Sequence, residues 1–130
     1  MIPFDSITEP AIAALVDRFY AKARLDPMIG PVFNEAVADW DDHLSRLRDF
    51  WSSVMLTTGR YKGNPMMAHL RQPIEPAFFE RWLTLWAETA GEVFSPELAA
   101  QFREKAQRIA ESLKLALFFR PGDLAVRAAP

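Results

Sequence analysis

The segment 58-TGRYKGNPMMAHLRQP-73 decides much of the fold, because it confines a histidine to a very short helix. Pro65 suits the first position of a helix, where its missing N–H would have no partner anyway. Pro73 disfavours helical backbone at the residue before it, so the helix runs only from about Pro65 to Arg71, with His69 in its last turn. An isolated helix of about seven residues is not stable in water. Packing or a ligand must therefore hold this segment in place.

Longer helices are predicted on both sides of this segment. Apolar residues recur at spacings of three and four, and this helical period predicts helices that begin near Glu9, Asp39, Pro76 and Pro96. Between the first two, a run of helix breakers at 26–31 predicts only short turns around 29–33. No strand period and no repeat is present. The sequence therefore predicts an all-α fold of four long helices and one very short helix. The last of the long helices is predicted to end near Phe119.

Composition narrows the class of protein. The 130 residues are 50% hydrophobic, enough for the core of one compact domain, which excludes disorder as the main description. A net charge of −2 does not suit an electrostatic nucleic-acid binder. The tail, residues 121–130, is expected to be disordered, which leaves 1–120 as the domain.

Cysteine is absent, so disulfides, thiolate metal sites and cysteine nucleophiles are excluded. No apolar run is long enough to span a membrane, and the first ten residues contain neither a basic nor a hydrophobic segment. We therefore expect no membrane span and a cytoplasmic location.

Two histidines are the candidates for metal chemistry. His69 is either a surface histidine favoured by the dipole of a helix C-terminus, or a metal ligand on a helix bounded by prolines. His43 shares a helix flank with Leu47 and Phe50, so it borders the core and is either a half-buried packing residue or a functional one. Spacing alone does not decide between these interpretations.

Tyr20 and Trp82 each combine a large apolar ring with one polar hydrogen. Such residues usually pack in a core with the polar tip bonded to a partner. The alternative is that both donors point into one cavity and face a ligand. The aromatic content, 12% of the chain, is high for a few helices and is compatible with either arrangement.

Four segments together resemble a known family, the group III truncated haemoglobins: residues 18–33 (RFYAKARLDPMIGPVF), 38–56 (ADWDDHLSRLRDFWSSVML), 58–73 and 78–89 (FFERWLTLWAET). They occur in the order and spacing of that family, over roughly Phe4 to Phe119. The Gly-Gly loop motifs of the other truncated groups are missing, as in group III. The resemblance implies a two-over-two helical sandwich around a non-covalent haem b, held between the helix of His43 and the helix of Trp82.

The same resemblance implies roles for individual residues. His69 matches the proximal iron ligand, and Tyr20, His43 and Trp82 fall on the distal side, where they would stabilise a bound gas. Other matches to the haem surroundings are Phe33, which packs against the haem, Leu47, which overhangs the iron, and Phe79 and Met66, which line the cavity. Arg46 is a candidate partner for a haem propionate, with Lys62 and Arg71 as alternatives.

The function implied is binding of O2, NO and CO. Donors from Tyr20 and Trp82 would hold oxygen too tightly for bulk transport, which favours redox chemistry on nitric oxide or peroxide with electrons from an external reductase. One alternative is a non-catalytic gas sensor, or a carrier of oxygen or haem, that acts through a partner. A third interpretation is a haem-free helical module that binds a protein or an apolar ligand. The oligomeric state is left open.

Overall fold

The computed structural model describes residues 3–65, residue 69 and residues 72–118. Five helices have defined bounds: α1 Glu9–Ala23, α2 Gly30–Ala36, α3 Trp40–Leu56, α4 Pro76–Val93 and α5 Pro96–Phe118. In the described part of the chain there is no strand, only one isolated bridge between Phe4 and Phe94. The expectation of an all-α fold is confirmed. The tail from 121 and Met66 lie outside the described residues.

The helices begin where the sequence supplies caps. The Thr8 side chain accepts a hydrogen bond from the backbone N–H of Ala11 at the start of α1, and the Asp39 carboxylate accepts one from the N–H of Asp42 at the start of α3. Proline lies in the first turn of α1, α2 and α4. Helix α3 ends before Thr57, whose φ of 54° is in the left-handed region that stops a helix.

Helix α2 corrects the prediction of mere turns around 29–33. The carboxylate of Asp26 accepts the backbone N–H groups of Met28 and Ile29, both at 3.0 Å. The other oxygen of the same carboxylate accepts from Arg81 of α4 at 2.8 Å. A tertiary contact therefore anchors the start of α2, and helical periodicity cannot reveal such a contact.

The four longer helices form two pairs. Helix α1 packs against α3, α4 packs against α5, and contact between α1 and α4 joins the pairs. The core between them is aromatic: the rings of Trp51 and Trp86 stack with centroids 4.4 Å apart, and Phe19 meets Trp86 edge-on at 5.0 Å. None of the described helices is both long and apolar enough to cross a membrane.

Helix α3 departs from ordinary core packing. Only Trp51 and Ser52 are buried in it, while Leu44, Leu47 and the other apolar residues of its predicted stripe are half-buried. Leu47, Phe50 and Trp51 line a cavity, so part of the apolar face of α3 borders open space rather than another helix.

Candidate functional site

A cavity of about 520 Å³ lies between α3, α4, α5, α2 and the segment that contains His69. This volume is in the ordinary range for a small-molecule or cofactor site. Apart from the alternative propionate partners Lys62 and Arg71, all but one of the residues matched to the haem surroundings line it together: Tyr20, Phe33, His43, Arg46, Leu47, His69, Phe79 and Trp82. The exception is Met66, which lies outside the described residues.

The His69 side chain is oriented by a backbone carbonyl four residues earlier. Its Nδ1 is hydrogen-bonded to the carbonyl oxygen of Pro65. A carbonyl can only accept, so Nδ1 must be the donor and the neutral ring carries its proton there. The lone pair then belongs to Nε2, and His69 lines the cavity. This is the arrangement in which a histidine binds a metal while its other nitrogen holds the ring in place.

Tyr20 and Trp82 form a second polar group in the cavity wall. Tyr20 is only 4% exposed, and burial raises the pKa of its phenol well above the usual value. The polar indole N–H of Trp82 partly opposes this rise in the pKa. Phe19 and Phe33 meet the Tyr20 ring edge-on at 4.8 and 5.5 Å. Tyr20 is therefore a neutral phenol, held rigidly, with a proton that it can donate.

His43 has a buried nitrogen that is unusual for a protein interior. Within the described part of the chain, its Nε2 has no hydrogen-bond partner. Burial lowers the pKa of His43, the cation of Arg46 and the imidazole of His69 lower it further, and Asp42 raises it. The ring is consequently neutral near pH 7. A buried polar atom without a protein partner asks for an explanation, and a polar ligand in the cavity supplies one.

Arg46 lies at the mouth of the cavity. Its side chain is 71% exposed and pairs with Asp42, four residues earlier on α3, at 3.0 Å. Of the two alternatives for a propionate partner, Lys62 is exposed and does not belong to the described lining, while Arg71 lies outside the described residues. The geometry therefore favours Arg46 as the cation that would meet a carboxylate at the mouth.

Sequence reasoning did not identify Tyr61 as a wall of this cavity. Its ring meets Phe50 edge-on at 5.2 Å, and its backbone N–H donates to the Ser53 hydroxyl at 2.9 Å. Burial raises the pKa of Tyr61, and the positive charge of Arg46 partly opposes this rise. Tyr61 lies in a loop, where no periodicity indicates which side chains face inward. Only its position in the same segment as His69, residues 58–73, could have indicated that it lines the cavity.

The donor set fits an iron porphyrin. One imidazole has its Nδ1 bonded to the Pro65 carbonyl, which leaves the lone pair on Nε2. Apolar and aromatic side chains, a phenol, an indole and a second imidazole complete the lining. A cation stands at the mouth, where the carboxylates of a porphyrin would emerge. With no cysteine in the chain, attachment through thioether bonds is excluded, so the group would be held non-covalently.

Comparison with known proteins agrees with this interpretation. The model of the bacterial-like globin family matches residues 3–116. The chain is 35% identical over 120 residues to the group 3 truncated hemoglobin ctb of Campylobacter jejuni, covering 88% of this chain and 94% of that protein. The crystal structure of a group III truncated hemoglobin from Campylobacter jejuni superposes with a TM-score of 0.86 at 33% identity, covering 91% of this chain and 97% of the other.

Family and fold together account for the cavity. The fold is that of a truncated globin, in which two pairs of helices enclose the cofactor. Globins bind haem and, through it, diatomic gases. The chain therefore belongs to the bacterial-like globins, and within them to the group III truncated haemoglobins.

Proposed function

We propose that this globin binds haem b non-covalently, holds dioxygen tightly and serves redox chemistry on nitric oxide or peroxide rather than bulk oxygen transport. The observation that carries the proposal is the pair of Tyr20 and Trp82. Both line the cavity, each carries one proton that it can donate, and the raised pKa of the phenol keeps it protonated. A carrier that must release oxygen quickly has no use for two fixed donors beside the ligand.

The haem, when bound, supplies the ligand-binding and redox chemistry. The chain's contribution begins with His69, whose Nε2 lone pair would bind the iron. The Pro65 carbonyl accepts the opposite N–H, which orients the ring and makes Nε2 more basic. Arg46 would pair with a propionate at the mouth.

The walls of the cavity are mainly apolar. Phe33, Leu47 and Phe79 line it with apolar surface, and we propose that Met66 completes this surface. A low local polarity strengthens each hydrogen bond that the distal donors make to a ligand.

The distal donors decide how long a polar ligand stays. A hydrogen bond to a charged group contributes about 1.5–3 kcal/mol, and about 1.4 kcal/mol corresponds to a factor of ten. The phenol of Tyr20 and the indole of Trp82 together would therefore slow oxygen release by about two orders of magnitude or more. Carbon monoxide is less polar when bound and would gain less from the same donors.

Redox turnover requires electrons. Conversion of one NO and one O2 to one nitrate consumes one electron, and reduction of peroxide to water consumes two electrons and two protons. We propose that a separate reductase supplies these electrons. The alternative, a non-catalytic gas sensor or carrier that acts through a partner, would bind the same gases without turnover.

The first experiment measures oxygen dissociation from the reduced haem-containing protein by stopped flow. Tyr20→Phe should accelerate release about tenfold to a hundredfold, because it removes one donor, and should alter CO release less. Tyr61→Phe is the matched control, since it removes the other tyrosine hydroxyl of the chain from the rim of the same cavity. Rapid oxygen release that Tyr20→Phe leaves unchanged would refute tight binding.

A second experiment distinguishes redox turnover of nitric oxide from non-catalytic binding of gases. The reduced protein is equilibrated with dioxygen and mixed with NO, and nitrate is measured with and without a reductant. We expect one equivalent of nitrate per haem without reductant and continuous production with it. No nitrate in either case would favour the sensor or carrier, whereas continuous production without reductant would contradict the need for a reductase.

A further inference from the structure

The ring of His43 is held by aromatic packing. Tyr20 meets it edge-to-face with ring centroids 5.9 Å apart, and Trp40 meets it in the same manner at 5.4 Å. Because its Nε2 has no hydrogen-bond partner among the described residues, no polar contact at that atom fixes the ring. The two aromatic neighbours must therefore determine where the imidazole lies.

These two neighbours differ in their own surroundings. Tyr20 is buried in the core, whereas Trp40 is half-buried and does not belong to the described lining of the cavity. The exposed guanidinium of Arg24 lies 4.3 Å from the centre of the Trp40 ring, a cation–π contact. The exposed Arg24 therefore contacts Trp40, Trp40 contacts His43, and His43 lines the cavity.

Arg24 and Trp40 both lie at helix ends, where the backbone fixes their positions. Arg24 is the residue after α1, and its carbonyl accepts a hydrogen bond from the Asn34 side chain at 3.0 Å. Trp40 is the first residue of α3, directly after the cap Asp39. His43 follows Trp40 by three positions, so the two side chains share one face of α3.

We propose that Trp40, held by Arg24, is a positioning residue that keeps the imidazole of His43 inside the cavity and thereby controls how fast a diatomic gas enters. This inference rests on the proposed function, because it requires a cavity that takes up gas. Trp40 acts only through His43. If its support is weakened, the His43 ring moves outward more readily and obstructs the cavity for less of the time.

Association of CO with the reduced haem-containing protein, followed after flash photolysis, tests the proposal. Trp40→Leu removes the aromatic contact and should accelerate association about threefold to tenfold. Trp40→Phe retains a ring and should restore most of the wild-type rate. Arg24→Met retains the length of the side chain without its charge and should accelerate association about twofold to fivefold. Arg48→Met is the control. It also removes a guanidinium, but one that is paired with Asp17 rather than packed on Trp40, and it should not change the rate.

Two further measurements distinguish positioning from a general structural role. In a His43→Leu background, Trp40→Leu should no longer change the rate. The infrared C–O stretching bands report polarity beside the ligand, and Trp40→Leu should redistribute them toward those of His43→Leu.

Unchanged rates and bands in Trp40→Leu would overturn the proposal. So would an acceleration of equal size with and without His43. A wild-type protein that bound neither haem nor CO would instead refute the proposed function, and the inference would fall with it.

Discussion

The imidazole of His69 donates a hydrogen bond from Nδ1 to the carbonyl oxygen of Pro65, four residues earlier. This contact relates the two features that the sequence placed side by side, a proline at the start of a short helix and a histidine in its last turn. The carbonyl sets the tautomer, and the tautomer leaves Nε2 as the nitrogen that can bind a metal.

Replacement of His69 by Ala should remove the side chain that would bind the haem iron. We expect visible spectra of the ferric, reduced and CO-bound forms in which the Soret band is weakened or shifted relative to wild type, because no other imidazole comes from the same segment. His43→Leu is the control, since it removes the second histidine of the chain and should leave a histidine-ligated spectrum. Spectra of His69→Ala identical to wild type in all three states would contradict the assignment.

His43→Leu should increase the association rate of CO with little change in its dissociation rate. The ring is packed between Tyr20 and Trp40 and lines the cavity, so its removal opens the path of the ligand. Flash photolysis and ligand replacement measure the two rates. A change confined to dissociation would instead make His43 a hydrogen-bond donor to the ligand, and no change in either rate would leave it as a packing residue.

Gly30→Ala should destabilise the protein by about 1–3 kcal/mol, because overpacking forces the neighbouring backbone to move. An added Cβ would lie 2.8 Å from the carbonyl oxygen of Arg24, a backbone atom that cannot turn aside. Gly91→Ala is the matched control: in α4 its Cβ meets open space. That variant should stabilise the protein by roughly 0.5–1 kcal/mol through the lower entropy of the unfolded chain. Urea unfolding of both variants checks the prediction, which an equal effect of the two substitutions would contradict.

Asp26 should make stability depend on pH in the acid range. Burial alone would raise the pKa of this carboxyl, but the guanidinium of Arg81 and the N–H groups of Ile29 and Met28 outweigh it, so the pKa lies below its ordinary value. A carboxyl with a lowered pKa in the folded state stabilises the protein above the unfolded pKa, which is about 3.9. That stabilisation is lost as the pH falls through the lower folded value.

Asp26→Ala tests this linkage. At pH 7 the variant should lose about 1–3 kcal/mol, since it leaves buried N–H donors at the start of α2 without their acceptor. The difference in unfolding free energy between wild type and variant, measured with urea, should shrink as the pH is lowered below about 4. A difference that stayed constant from pH 7 to pH 3 would show that the charge of Asp26 contributes nothing.

Prediction from the sequence succeeded where the signal was local. Caps and prolines at helix starts are read within one turn of the chain, and the structure begins α1, α3, α4 and α5 at or beside the predicted residues. It failed at α2, because the carboxylate that anchors α2 is held by a residue 55 positions away along the chain. A pattern confined to neighbouring residues contains no trace of that contact.

The residues of the site were likewise predicted only in part from the sequence. Tyr20, His43, His69 and Trp82 were selected by residue type and by resemblance, and the fold gathers them around one cavity. Tyr61 was missed because a loop has no period that indicates which side of it faces inward.

The sequence by itself determined the all-α class and the exclusion of cysteine chemistry, and it predicts that His69 lies in a short helix between two prolines. Tertiary structure alone decided that part of the apolar face of α3 borders a cavity rather than another helix, and that Arg24, the residue after α1, contacts Trp40, which in turn contacts His43. The physical reason is that periodicity specifies which side of a helix is apolar, whereas only the packing of distant segments specifies what that side faces.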